Sequence, residues 1–243
     1  MLSKSFRAVV TATAATGVAI TAFGDRYLLV GTVVAMLGIF SIGWPGLLGL
    51  PARRSSVVLL LVALAAAVGT QLLTGDLAMV AVVYGLLVVA AFVHELARRD
   101  GRPRLVESVA GAVTGMAVIV SGVGWLAIGS GASAIGLLVV GAVTLAVAAV
   151  CTSLPLRAPG GPVLTIALAS LGGLGVGAVV PAVGMTTGLL VGLAAGLLSA
   201  AVHHVLGRFP ASGQPMPALA AAVLPVLVCG VPVYVVGRLL LLL

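Results

Sequence analysis

The chain has 243 residues, of which 62% are hydrophobic and only 7% are charged, against about 25% charged residues in an ordinary soluble domain. This composition excludes a soluble fold, and the long uninterrupted runs of Leu, Val, Ala and Gly favour membrane helices over the alternating strands of a membrane barrel. The net charge of +7 does not indicate a nucleic-acid partner, because the basic residues flank apolar segments and the aromatic residues that stack on bases amount to 4%.

Charges, prolines and glycine-rich turns divide the chain into nine apolar segments. We predict an all-α polytopic membrane bundle, a single transmembrane domain over residues 1–243 built from four αα-hairpins plus one helix. The predicted helices lie at residues 7–23, 28–48, 56–73, 77–97, 105–128, 132–152, 163–181, 185–206 and 217–241. Each approaches the roughly 20 residues that cross about 30 Å of hydrocarbon. The first is interpreted as a retained helix, because the residues after it form a poor signal-peptide cleavage site.

The basic residues fall mainly on one side of this topology. With the N-terminus inside, ten of the 12 Lys and Arg residues lie in inside connectors and two lie outside. The positive-inside rule therefore predicts a bacterial plasma-membrane protein with a cytoplasmic N-terminus and an external C-terminus. The alternative with eight helices places later basic loops on the wrong side.

The connector between the fourth and fifth predicted helices, residues 94–107, concentrates the charges. Its four arginines are Arg98, Arg99, Arg102 and Arg104. The favoured interpretation is a loop that sets orientation, partly neutralised by its own acids. The sharper hypothesis is that these arginines bind an anionic lipid head group or another phosphate, for which the planar guanidinium fork is suited.

Glycines recur four residues apart in two later helices. The stripes comprise Gly173 and Gly177 with Ala169 in the seventh helix, and Gly184, Gly188, Gly192 and Gly196 in the eighth. Such spacing lets two backbones approach closely in lipid, so the seventh and eighth helices are expected to form the tightest hairpin, with Gly111 and Gly115 of the fifth helix as the next candidates for close contact.

The ninth predicted helix contains two prolines, Pro225 and Pro232. Each removes a backbone donor and clashes with the preceding turn, so we expect this helix to be kinked or locally opened. Broken helices occur at transporter binding sites, although prolines are also common in ordinary membrane helices.

The chain carries no complete catalytic or metal-binding motif. A polar cluster is conceivable at the inner face, from His94, Glu95, Glu107, His203 and His204. His94 and Glu95 begin the zinc-protease pattern HExxH, but Arg98 occupies the position of the second ligand. The sequence also lacks a P-loop, and no acidic or basic residue lies in the middle of a span, which disfavours ion-coupled transport. We therefore predict no metal, no cofactor and no catalytic residue.

The segment from Arg98 to Ser108, leading into a glycine-rich helix that ends Gly124-Trp125, is similar to multi-pass membrane proteins of high-GC actinobacteria whose activity is unassigned. The likeness covers about thirty residues. It implies a plasma-membrane location and brings no activity with it.

Three functions remain open on the sequence. The first is passive handling or transport of an amphiphilic or lipid-linked substrate, with anionic membrane lipids as partners. The second is a non-catalytic subunit or scaffold that binds another membrane protein or a second copy. The third is a membrane-embedded lipid-modifying enzyme that uses the inner-face carboxylates and imidazoles. A laterally opening cavity lined by hydroxyls would favour the first, and converging acids and imidazoles would favour the third.

Overall fold

The computed structural model describes residues 4–98, 101, 103–154, 160–206, 209 and 214–240. This part of the chain is all-helical, as the sequence predicts. Its ten helices are α1 Lys4–Ala22, α2 Arg26–Leu47, α3 Arg53–Thr74, α4 Leu77–Ala97, α5 Leu105–Ala127, α6 Ala132–Ser153, α7 Gly160–Val179, α8 Met185–Leu206, α9 Pro215–Val228 and α10 Gly230–Leu240.

Eight segments in the described part of the chain are long and apolar enough to cross a membrane: α2 to α8, and α9 together with α10 as Pro215–Leu240. The apolar stretch of α1, Phe6–Ala22, is shorter. Its 19 residues still reach about 28 Å at 1.5 Å per residue, close to the thickness of the hydrocarbon core. The helices thus form a polytopic bundle that matches the nine predicted segments.

The helices form an incomplete ring around α9. Neighbours in the ring follow the order α5, α3, α2, α1, α6 and α8, while α4 packs on the outside of α3 and α5, and α7 packs on α6 and α8. Helix α9 lies inside and contacts α2 and α1 most extensively. Its residues from Pro217 to Leu227 are almost all buried, which identifies α9 as the central helix.

The two ends of the bundle differ in charge. One end carries Arg53, Arg98 and Arg104 at the turns after α2 and α4, and is called the arginine-rich end here. The other end carries the turns at Asp25, Asp76 and residues 129–131, and is called the opposite end. On the positive-inside rule the arginine-rich end is expected to face the cytoplasm.

The last predicted helix, residues 217–241, is not continuous, and this corrects the single-helix prediction. It remains α-helical through Pro225, ends at Val228, and resumes as α10 at Gly230. The interruption thus lies between the two prolines, near the middle of the span. Beyond it the chain changes neighbours, because α10 packs mainly on α5 and α8 rather than on α1 and α2.

Side chains of α5 bind the backbone carbonyls at this break. Pro232 has no N–H to donate to the carbonyl of Val228, and the hydroxyl of Ser121 donates to that oxygen at 2.8 Å. The indole of Trp125 donates to the carbonyl of Val226 at 2.9 Å. The Val226 carbonyl also accepts from the N–H of Cys229 at 3.3 Å, so the Val228 carbonyl is the one that depends on a side-chain donor. An unpaired carbonyl in hydrocarbon is costly, and the Ser121 bond therefore helps to explain why the break is stable here.

Helix α10 approaches α5 backbone to backbone just beyond the break. A Cβ atom on Gly124 would meet the backbone of Gly230 and Val231 at 2.5 Å, well inside van der Waals contact. Only glycine therefore fits at position 124. The break and Gly124 together place α10 between α5 and α8.

Helices α7 and α8 also meet backbone to backbone. A Cβ atom would meet the facing helix backbone at Gly173, Gly177, Gly188, Gly192 and Gly196. Gly184 differs from the rest of the stripe, because it lies in the turn before α8 with a φ of 79°, a conformation that favours glycine. In the fifth helix, by contrast, Gly111 and Gly115 face side chains rather than a backbone.

Candidate functional site

A lateral cavity of about 600 Å³ separates α5 from α8 in the half of the bundle next to the arginine-rich end. Helix α9 forms its floor through Leu224 and Val228, and the end of α2 contributes Trp44. The volume falls within the roughly 300–1,000 Å³ that is typical of small-molecule sites. We call this space the lateral cavity.

The helix break explains why the lateral cavity occupies only half of the membrane depth. Beyond the break α10 fills the space between α5 and α8, whereas before it α9 lies deeper in the bundle and leaves that space open. The cavity follows α5 from Glu107 to Val118. The eleven steps along the helix between these two residues, at 1.5 Å each, give about 16 Å, or about half of a hydrocarbon core of about 30 Å.

The lateral cavity is lined almost entirely by apolar side chains. Small residues at Ala110 and Gly111 on α5 and Ala201 on α8 keep its walls thin. Thr114 supplies a hydroxyl within the membrane depth. The cavity thus opens to the side, as expected for an amphiphile-handling protein, but its walls are apolar rather than rich in hydroxyls.

Trp44 forms a fixed wall of the lateral cavity. Its indole N–H donates to the carbonyl of Gly111 at 2.9 Å, and its ring lies against Gly115, where a Cβ atom would approach the ring atoms at 2.9 Å. The ring of Phe40 packs against Trp44 in a tilted arrangement, with ring centroids 5.0 Å apart and an interplanar angle of 35°. Gly115 therefore accommodates the aromatic ring, whereas a Cβ atom on Gly111 would meet the side chains of Leu48 and Leu50.

Arg104 lies at the mouth of the lateral cavity. It is the residue before α5, and its φ of 54° is uncommon for a residue other than glycine. Its guanidinium donates to the carbonyl of Gly49 at 3.0 Å, and its Nε lies 3.8 Å from a carboxylate oxygen of Glu107. About half of each side chain is exposed, 52% for Arg104 and 56% for Glu107.

The other arginines of the connector lie elsewhere or outside the described residues. Arg98 is bound to Glu95 through a 2.6 Å ion pair in which the side chains are 8% and 1% exposed. The pair joins two residues at the end of α4 and is desolvated. Removing Arg98 would therefore leave the buried Glu95 carboxylate without this partner, at a cost in stability. Arg99 and Arg102 fall outside the described residues.

The five residues of the conceivable polar cluster are distributed over three places. His94 and Glu95 lie at the end of α4, and Glu107 lies at the mouth of the lateral cavity. His203 and His204 line a separate pocket of about 180 Å³ beside α6 and α7. Within the described residues no three His, Cys, Asp or Glu side chains are grouped so that they could hold a metal ion.

A small pocket of about 40 Å³, with some polar side chains in its lining, lies near the arginine-rich end of α9. Its lining includes Arg7, Ser199 and His203, together with Ala221, whose carbonyl would bond to residue 225 in a regular helix. Pro225 has no N–H for that bond. The pocket has room for one water molecule, and the buried Ser199 hydroxyl that lines it has no hydrogen-bond partner within the described residues.

Three residues of the lateral cavity, Arg104, Glu107 and Gly111, are candidates on the sequence alone, but the cavity itself and the rest of its lining were not predicted. The sequence held only a weak indication of the cavity: Thr114 is a hydroxyl inside a mostly apolar helix, and Trp44 is one of two tryptophans. The comparisons with known proteins add no family, since no protein-family model, no curated protein and no solved structure matches the chain.

Proposed function

We propose that this protein binds a phosphate-bearing membrane amphiphile, with an acyl chain in the lateral cavity and the head group at Arg104. The observation that carries the proposal is the combination of an apolar cavity, a lateral opening and a guanidinium at its mouth. We further propose that the protein resides in a bacterial plasma membrane and handles this ligand passively, because the sequence has no nucleotide-binding motif.

The dimensions of the cavity support an acyl chain as the buried part of the ligand. The cavity extends about 16 Å along α5, which is the depth of one leaflet of a hydrocarbon core of about 30 Å. It opens between two helices of the ring, so a lipid can enter sideways without leaving the membrane. Its apolar walls offer an acyl chain no polar group that would need a partner.

The geometry at the mouth supports a phosphate as the head group. A guanidinium has five N–H donors in a planar fork, and the contacts of Arg104 with Gly49 and Glu107 use only part of them. The carboxylate of Glu107 disfavours a second negative charge on the head group, but it can accept a hydrogen bond from an ammonium group. The mouth therefore fits a phosphodiester, which carries one negative charge. Arg104 would bind the phosphate, and Glu107 would favour lipids whose head group also carries an ammonium group.

The test is native mass spectrometry of the purified protein in detergent with phosphatidylglycerol or phosphatidylethanolamine added. Ala201→Trp places an indole in the lateral cavity, where it competes with an acyl chain for space, and should lower retention of either lipid roughly tenfold. Ala90→Trp is the matched control, because Ala90 is exposed on α4 and does not line the cavity. This control should retain lipid like the wild type.

A second pair of variants tests the head-group contact. Arg104→Lys keeps the charge but loses the planar fork, and should weaken retention roughly three- to tenfold. Arg54→Lys, on an exposed arginine at the same end, should change nothing. A preference for phosphatidylethanolamine would show that Glu107 contributes to recognition. Unchanged retention in both Ala201→Trp and Arg104→Lys would refute the proposal and favour the subunit alternative.

A further inference from the structure

We infer that the opposite end of the bundle holds a second, independent site that binds a small hydroxylated organic anion. The site is a cavity of about 370 Å³ with several polar groups in its lining, enclosed by the ends of α1, α2, α3, α5 and α6. We call it the outer vestibule. It shares no lining residue with the lateral cavity, so its function does not rest on the proposed lipid binding.

The first argument is a buried amide without a partner. Gln71 lines the outer vestibule, is 1% exposed, and its Oε1 has no hydrogen-bond partner within the described part of the chain. A buried amide oxygen in this state costs free energy, and such groups are rare in folded proteins unless a ligand or water satisfies them. Oε1 accepts hydrogen bonds, so the ligand must bring an N–H or O–H donor.

The second argument is the presence of groups that can bind an anion in the lining of the outer vestibule. Arg26 lines it, and so does the turn of residues 129–131 that leads into α6. The N-cap of α6 is Gly131, which has no side chain to cap the first N–H groups of that helix. The acids of this end, Asp25 and Asp76, do not line the vestibule. Arg26 is therefore the one charged side chain among the described lining residues, and its guanidinium favours an anionic group on the ligand.

The two arguments together define the chemistry of the ligand. It carries an anionic group for Arg26 and the α6 N-terminus, and a hydroxyl or amine that donates to Gln71. Thr21 and Ser130 add further hydroxyls to the lining. The volume accommodates a ligand larger than a single inorganic ion, and a six-carbon sugar acid has the required combination of carboxylate and hydroxyl groups.

Calorimetric titration of the full chain in detergent with three six-carbon probes tests the assignment. Gluconate has both features, hexanoate has the carboxylate without hydroxyls, and sorbitol has hydroxyls without the charge. Gluconate should bind saturably and at least roughly tenfold more tightly than the other two, because a site that hydrogen-bonds a ligand hydroxyl rejects an analogue without it. Equal binding of gluconate and hexanoate, or no saturable gluconate binding, would overturn the assignment.

Variants separate a binding role of Gln71 from a structural one. Gln71→Leu should abolish gluconate binding and raise the thermal midpoint of the unliganded protein, because it removes a buried unpaired amide. Arg26→Gln should weaken gluconate binding, whereas Arg54→Gln at the arginine-rich end should not. Gluconate affinity that survives Gln71→Leu, or a midpoint that falls in this variant, would contradict the inference.

Discussion

The contact between α7 and α8 offers the sharpest test of the packing. A Cβ atom added at Gly173 would lie 3.0 Å from the carbonyl carbon of Gly188 and 3.1 Å from the Cα of Gly192, and closer still to the Gly188 oxygen. Carbon atoms normally keep about 3.5–4.0 Å apart, so Gly173→Ala must push the helices about 0.5–1 Å apart. That gap loses about a quarter to a half of the dispersion energy of each contact.

We expect Gly173→Ala to cost about 1–3 kcal/mol, which lowers the thermal-aggregation midpoint by roughly 2–12 °C. Gly175→Ala is the matched control on the same helix, because no atom lies within 4 Å of the added Cβ at that position. This control should be neutral or stabilising by about 0.5–1 kcal/mol, since alanine favours the helix over glycine. Equal midpoints for the two variants would refute the close-packing argument.

Three further predictions follow from the helix break, the caps and the charges. Ser121→Ala should lower the free energy of unfolding by about 1 kcal/mol, because it leaves the Val228 carbonyl without its side-chain donor. The loss should be smaller when Pro232→Ala restores a backbone N–H, so additive midpoint shifts in the double variant would contradict this prediction. Asp76→Ala should cost about 1 kcal/mol, because this side chain caps α4 at 2.9 Å, whereas Asp25→Ala removes no cap bond and should have little effect in the same melting assay. Cysteine-accessibility labelling should place the loops of the arginine-rich end in the cytoplasm; labelling of these loops from outside the cell would reverse the predicted topology.

The helices themselves could be predicted from the sequence because their signal is local. Uninterrupted apolar runs ending at charges or Gly-Asp turns mark each span, and the observed bounds lie within four residues of the predicted ones apart from the break in the last helix. The prolines indicated which span would be interrupted. The position of the interruption at Cys229 depends on Ser121 and Trp125, more than a hundred positions earlier in sequence, and could not be predicted from local pattern.

The cavities could not be predicted because they depend on which helices fail to touch. Glycines are spaced four residues apart in both α5 and α8. Gly115 nevertheless packs against the ring of Trp44, whereas Gly188 packs against the backbone of Gly173 on α7. The sequence did offer an indication that Gln71 is unusual, because it is one of two glutamines in the chain and the one that lies inside a predicted span. Its significance appears only when the structure shows that its amide oxygen is buried without a partner.

The hydroxyl of Thr11 connects α1 with α9 across 211 positions of sequence, at 2.6 Å from the carbonyl of Ala222. At translation rates of roughly 5–20 residues per second, α1 precedes this partner by roughly 10–40 s. During that interval the hydroxyl can still donate to the carbonyl of Arg7 on its own helix, at 2.9 Å. The nascent α1 can therefore enter the bilayer alone without exposing an unpaired hydroxyl to lipid, and its attachment to the central helix becomes one of the last steps of assembly.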